Sequence, residues 1–278
     1  CLIPSNKGQT MLFLIGNGGE GKSRIGLVMR ALLGANMSTG SIAKVETSPF
    51  ARADLEHRLV MVDDDMKLEA LPQTNHLKTI VTAEMEMDLE KKGEQSYQGM
   101  LYARLMAFGN GALRALYDHS DGFYRRQLIL SAKPKDKSRW DDPFIAEKLC
   151  SEAEGIFLWA LEGLKRLIQN GYHFTKSERT QANIEASMRE GNNILDFMDS
   201  EGYFLFKADD WITSKDFYEV YVMWCDDNAE KPLVRKTFIN YLRSKEQKYN
   251  LEYNNYGHNR EGRRVWGFLG IRSLLKIF

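Results

Sequence analysis

Residues 16–23 read GNGGEGKS, in which Gly16, Gly21, Lys22 and Ser23 fit the spacing GxxxxGK[ST]. Glycines at this density let successive backbone N–H groups converge on phosphate oxygens, and a helix that begins where the loop ends adds its positive N-terminus. On this reading Gly16, Asn17, Gly18, Gly19, Glu20 and Gly21 line a triphosphate, Lys22 reaches its β and γ groups, and Ser23 ligates Mg²⁺. ATP with Mg²⁺ is the expected ligand. A second cluster, RLVMVDDDM, sets three carboxylates at the tip of an apolar run. Nucleotide hydrolysis needs one acid on the metal's water shell and another to polarise the attacking water. Asp63 is assigned to the metal and Asp64 to the water, with Asp65 leaving a shift of one position open. Asn110 ends the run RLMAFGN, where its amide can donate to a γ-phosphate or hold the water, although Asn-Gly is equally a turn signal. Arg125 and Arg126 precede the run QLILS. Arginine's rigid, permanently charged fork suits a phosphoryl-transfer transition state, so Arg125 and Arg126 are both candidate fingers, with a structural ion pair as the alternative for one of them.

These residues need a scaffold. MLFLI predicts a buried strand ahead of the glycine loop, and Ile25, Val28, Met29, Leu32 and Leu33 predict a helix after it that Gly34 ends. Residues 1–134 alternate such apolar runs with helical patterns, which reads as an α/β domain with helices on both faces of a largely buried sheet. The polar stretch KPKDKSRWDDP closes it. Residues 135–190 form a helical linker or lid: Phe144 to Asn170 reads as one long amphipathic helix or two in tandem, and another helical stretch runs from about Ser177 to Met198. Residues 191–278 form a third region.

The 278 residues suffice for about two domains. With 43% hydrophobic and 27% charged residues, wholesale disorder is excluded. No apolar stretch approaches the roughly 20 residues of a membrane-spanning helix. Cys1, Cys150 and Cys225 are far apart, which gives neither a disulfide framework nor a zinc site and points to a reducing cytoplasm. The five histidines lack metal-ligand spacing and catalytic pairings. A start at Cys1 without initiator Met or signal peptide reads as a piece of a longer protein.

The zero net charge hides an asymmetry. Gly191 to Glu230 holds ten acidic and two basic residues, whereas Lys231 to the end holds eleven basic and three acidic, a net of +8. Such a basic segment marks a polyanion-binding module or a solvated surface. Its pattern favours the first. Thr213 or Ser214 can cap a helix with Phe217, Val220, Tyr221 and Trp224 on one face. A second helix has Val234, Phe238, Tyr241 and Leu242 on one side and Arg235, Lys236, Asn240 and Arg243 on the other, the division a recognition helix requires. LEYNNY and RRVWGFL then flank GHNREG, a candidate wing carrying Arg260, Arg263 and Arg264.

Together, GNGGEGKS, LVMVDDD, the stretch from Leu77 to Gly111 and DGFYRRQLIL resemble a superfamily three helicase, specifically the helicase part of the phage and plasmid primase family, also related to the poxvirus primase-helicase. The resemblance covers nearly the whole chain and implies an AAA+-like P-loop NTPase with a helical segment and a C-terminal winged-helix domain. It implies a sensor role for Asn110, an arginine finger near Arg125 and Arg126 acting in a neighbouring subunit, and a ring, expected as a hexamer. It also implies single- and double-stranded DNA as partners, a primase domain ahead of this segment, a bacterial host cytoplasm and no membrane. The family often carries Gly-Asp where this chain has Ala83 and Glu84. In such helicases the stretch between the acids and the sensor touches DNA. Here Met85, Met87 and Leu89 alternate with Glu86, Asp88 and Glu90, which predicts a strand and a hairpin with Lys91 and Lys92 at its tip; a helix from Leu77 to Lys92 capped by Gly93 is the competing pattern. The expected activity is ATP-driven DNA unwinding for a phage or mobile element. A slow, nucleotide-switched initiator or loader is the alternative, and a P-loop kinase fits Asn110, the arginines and the basic tail poorly.

Overall fold

Four apolar runs of the first half and one short strand, Met37–Thr39, pair into one parallel sheet in a computed structural model of the chain. The structure describes every residue except 68, 69, 116–120, 137, 139, 260 and 276–278, together with the side chain of 121. Arg260, expected in the wing, lies outside the described residues. The described chain divides into two compact units, Cys1–Met188 and Arg189–Phe278.

In the first unit β1 (Met11–Ile15) leads through the glycine loop to α1 (Lys22–Leu33). Then come β2 (Met37–Thr39), α2 (Ile42–Thr47), α3 (Pro49–Ala53), β3 (Val60–Met66), α4 (Asn75–Thr82), β4 (Met87–Leu89), β5 (Tyr97–Gly99) and β6 (Arg104–Gly109). α5 (Asp121–Tyr124), β7 (Gln127–Ser131), α6 (Ile145–Ser151), α7 (Ala153–Gln169) and α8 (Glu178–Gly191) follow. The sheet order is β2-β3-β6-β1-β7, all parallel, with β1 inside it.

Alternation along the strands divides the core in two. Met11, Phe13, Met61, Leu105, Ala107 and Ile129 face one layer, where Ile42 and Val45 of α2 and Leu77, Ile80 and Val81 of α4 cover them. Leu12, Leu14, Val60, Val62, Met106 and Phe108 face the other, against Met29, Leu32 and Leu33 of α1. Helices on both faces are thus found as expected. The segment from Phe144 resolves the sequence's ambiguity as two helices in tandem, broken at Glu152. α7 buries no residue: Phe157, Leu158 and Trp159 are exposed, Trp159 by 78%.

In the second unit α9 (Ile194–Met198) precedes β8 (Phe204–Thr213), α10 (Ser214–Asp227), α11 (Arg235–Ser244), α12 (Glu246–Tyr249), β9 (Glu252–Asn254) and β10 (Gly267–Ser273). The antiparallel order β8-β10-β9 backs the helices. Phe197, Phe217, Phe238 and Phe268 are fully buried at its centre, and their rings meet in tilted and edge-on pairs. Thr213 is the hydroxyl that caps α10, accepting from Asp216 N at 2.9 Å. The helical pattern from Ser177 to Met198 is interrupted after Gly191, and Asn192 and Asn193 separate α8 from α9. Two strands have no counterpart in the sequence pattern. β2 has three residues, and β8 is a sheet edge whose middle, from Leu205 to Asp209, faces solvent and so lacks an apolar alternation.

Candidate functional site

The loop after β1 is anchored by its neighbour strand, Gly16 N donating to Gly109 O at 3.1 Å. Gly18, Gly19 and Gly21 take φ of 107°, 77° and 89°, a left-handed region that other residues adopt only at a steric cost, and Gly21 in that conformation opens α1. The loop therefore turns its amides inward. What they meet is an anion from the chain itself. The Glu20 carboxylate accepts from Asn17 N at 2.7 Å, from Gly18 N at 2.9 Å and from Lys22 Nζ at 2.9 Å. Lys22 foremost, with the loop amides, holds the Glu20 carboxyl far below its ordinary value, at about 2. Three donors converging on one carboxylate is the test that the donor set suits a phosphate. Glu20, expected only as part of the loop's lining, thus fills the cradle with its own side chain. Ser23 stands exposed in the first turn of α1.

The three acids on β3 face different ways. Asp63 turns to the face opposite α1, where it is buried and its Oδ2 accepts from Ile42 N, the first amide of α2, at 2.8 Å. Burial pushes its carboxyl up, with the Ile42 and Asp65 amides opposing. Asp64 turns to the α1 face: a Cβ on Gly26 would meet Asp64 Oδ1 at 3.8 Å and Val62 at 4.0 Å. Period-two alternation makes this unavoidable, because Val62 belongs to the α1 layer. Gly26, not anticipated from sequence, lets α1 approach closely, since its missing Cβ would lie 3.3 Å from the Phe108 ring. A glycine isolated within a helical pattern was the available signal. Asp65 is exposed, beside a register shift between Asp63 and Met66.

Asn110 follows the last residue of β6, Gly109, which pairs with Ile15 at the mouth of the loop. Glycine loop, Asp64 and Asn110 thus share the carboxyl end of the sheet, where open α/β sheets bind ligands. Lys135 joins them unannounced by the sequence. Its Cδ lies 3.7 Å from where a Gly19 Cβ would be, and its amine pairs with Asp141. Among the described residues no cluster of three acids, histidines or cysteines is built to hold a metal by itself. Ser23 and Asp64 offer the oxygen ligands that Mg²⁺ prefers when it arrives with phosphates.

The paired arginines stand elsewhere. β7 runs parallel to β1 with Gln127 beside Met11, and Arg126 O accepts from Met11 N at 2.7 Å, so Arg125 and Arg126 mark the amino end of the sheet. Five residues of strand, roughly 16 Å, separate them from the loop of their own chain. Arg126 turns back to donate to Gly122 O, and Arg125 is exposed.

A family model described as a family of unknown function (DUF5906) matches residues 14–126, from the end of β1 to the arginine pair. Among solved structures, the apo C-terminal region of NrS-1 superposes with a TM-score of 0.55 at 14% identity, over 95% of this chain and 67% of that one. A second form of that region gives 0.53 at 18%, over 90% and 56%. The likeness is one of fold. The chain spans 56% of the length of that second structure. A likeness to JCV helicase, 0.34 at 16% identity over 69% of this chain and 52% of that one, is too loose to argue from. A search of curated proteins gives no match.

The candidate nucleic-acid residues divide likewise. β4 and β5 form an antiparallel hairpin, Met87 opposite Gly99 and Leu89 opposite Tyr97. The strand starts later than the alternation suggests: α4 takes the chain to Thr82, Ala83 turns it at φ 49°, and Met85 is 72% exposed. That left-handed turn sits where the resembled family often has glycine, the residue it favours. Lys91 is not a free tip residue, since its amine meets Glu56 at 2.8 Å, stacks over the Tyr97 ring and is held protonated by that carboxylate. Lys92 is exposed in the turn. In the second unit Arg235, Lys236, Asn240 and Arg243 line the exposed side of α11, with Phe238, Tyr241 and Leu242 buried behind; Val234, expected among these, is 65% exposed at the N-cap. Arg243 lies over the Tyr253 ring at 4.9 Å. Between β9 and β10 the chain bends back at Asn259, whose side chain accepts from Glu261 N and Arg263 N, leaving Arg263 and Arg264 exposed.

Proposed function

We propose that this chain is the ATPase and DNA-translocating part of a superfamily three helicase serving a phage or mobile element. One observation carries the reading: a cradle of amides and Lys22 that already grips an anion, at the same sheet end as Asp64 and Asn110. In the proposed roles Lys22 and the loop amides hold the β and γ phosphates, and Asn110 fixes the terminal phosphate or the attacking water. Ser23 and Asp64 complete the shell of Mg²⁺, which would neutralise charge developing on the phosphates. Asp65 takes the water-polarising role first expected of Asp64.

The arginines at the far end of the sheet support a ring. A finger placed there serves only a neighbour's loop, and a head-to-tail interface repeated around an axis supplies one at each site. The uncovered apolar residues of α7 are the kind of surface that such an assembly covers. Lys92 on the hairpin is assigned to the backbone of single-stranded DNA, and the basic side of α11 with the wing to duplex DNA. The deciding experiment is ATP turnover with and without single-stranded DNA, followed by strand displacement. Stimulated turnover with unwinding is expected; turnover without unwinding would favour the initiator or loader.

Two further outcomes are expected. Asp64→Asn lowers turnover by roughly 10²-fold or more, the scale of losing one electrostatic contributor to a transition state, with thermal stability kept. Asp63→Ala keeps turnover and costs about 1 to 3 kcal/mol of stability, because the Ile42 amide loses its partner; parallel turnover and unfolding measurements check both. Replacing Arg263 and Arg264 with alanine should flatten the salt dependence of duplex binding by about 0.9 in log–log slope for each arginine–phosphate pair removed. Titrations at several salt concentrations read this directly, and an unchanged slope removes the wing from the interface.

A further inference from the structure

The Glu20 side chain is only 6% exposed although Asn17, Gly18 and Gly19 around it are exposed, because its carboxylate is folded into the loop. It engages two backbone amides and the loop's lysine at once. Gly16 is part of that fit, since a Cβ there would press on the Glu20 carboxyl carbon and oxygens at 3.0 to 3.1 Å. We propose that Glu20 is a built-in competitor for the phosphate position, which weakens every anion by a common factor so that only ligands with strong additional contacts occupy the loop. The inference rests on the nucleotide reading of the loop and goes beyond it.

A carboxylate tethered two residues from Lys22 competes at an effective concentration far above that of most free anions. A ligand offering one anionic group exchanges one set of hydrogen bonds for another and gains little. A nucleoside triphosphate adds further phosphate oxygens, its metal, and contacts beyond the loop, so it expels the side chain. The competitor is not relieved by acid, because Lys22 and the amides keep Glu20 ionised down to about pH 2; only ligand exchange displaces it. With Glu20 docked, Lys22 is neutralised, so the unliganded loop carries no uncompensated charge toward adventitious anions.

Competition of this kind has a quantitative signature. If the open loop is a minor fraction of the unliganded protein, every phosphate ligand is weakened by the same factor, since apparent affinity scales with the competent fraction. Isothermal titration of the full chain, its Glu20→Ala and its Glu20→Gln forms with inorganic phosphate, ADP and ATP in Mg²⁺ reads that factor. The expected result is tighter binding of all three by a similar factor, about tenfold or more for alanine, and a smaller gain for glutamine, which keeps the acceptor and loses the charge. Unchanged or weaker binding in a variant that unfolds at the wild-type temperature overturns the proposal and makes Glu20 a brace of the loop. The glutamine form decides the matter if the alanine form does not fold. No binding of any of the three by the wild type or either variant defeats the nucleotide reading itself, and the proposal with it.

Discussion

Replacing Arg125 with alanine is expected to leave nucleotide binding within about twofold of wild type and to lower ATP turnover by ~10³ to 10⁵, the range for an arginine finger supplied in trans. That corresponds to roughly 4 to 7 kcal/mol of barrier. Arg125 is chosen over Arg126 because it is exposed, whereas Arg126 is half-buried and donates to Gly122 O. The strong form of the test uses mixtures. Alone, Lys22→Ala and Arg125→Ala chains are both inactive, but a ring assembled randomly from equal amounts pairs an intact loop with an intact arginine at about one interface in four, given head-to-tail contacts. Recovery of up to about a quarter of wild-type turnover on mixing is the expected outcome. Absence of recovery in rings shown to mix, or full activity of Arg125→Ala alone, removes this residue from the reaction.

Lys22→Ala should be the most damaging single change to the loop. It removes a charged donor worth about 1.5 to 3 kcal/mol in the ground state and the partner of charge that builds up in transfer, so turnover should fall by roughly 10²- to 10³-fold or more. The fold should survive, since among the described residues Lys22 pairs only with Glu20, and Glu20 keeps its two amide donors. Nucleotide titration, turnover and thermal unfolding separate these effects. Equal affinity and turnover in this variant would end the phosphate-site interpretation.

Much of the scaffold was written in short-range pattern. MLFLI, LVMV, RLMAF and QLILS are buried strands because a parallel sheet covered on both faces needs continuous apolar runs. The loop was equally legible, since its glycines occupy positive φ where other side chains are strained. α10 and the apolar back of α11 followed from helical periodicity and a threonine cap. By contrast, β8 stayed hidden because an edge strand facing water has no apolar alternation to display.

At the site itself, sequence determined which residue types stand near the phosphates, and tertiary structure decided what each one touches. The run DDD is blind to facing: only the packing of Val62 against the α1 layer turns Asp64 toward α1 and sends Asp63 to cap α2. Lys135 is 113 residues from Lys22 in sequence and reaches the loop solely because β7 lies beside β1. Arg125 follows Asn110 by only 15 residues yet stands at the other end of the sheet, because parallel strands put every strand's start on one side and every strand's end on the other. Residue identity and local periodicity are encoded over a few positions, whereas facing and proximity depend on strand order and register, which no local window of sequence contains.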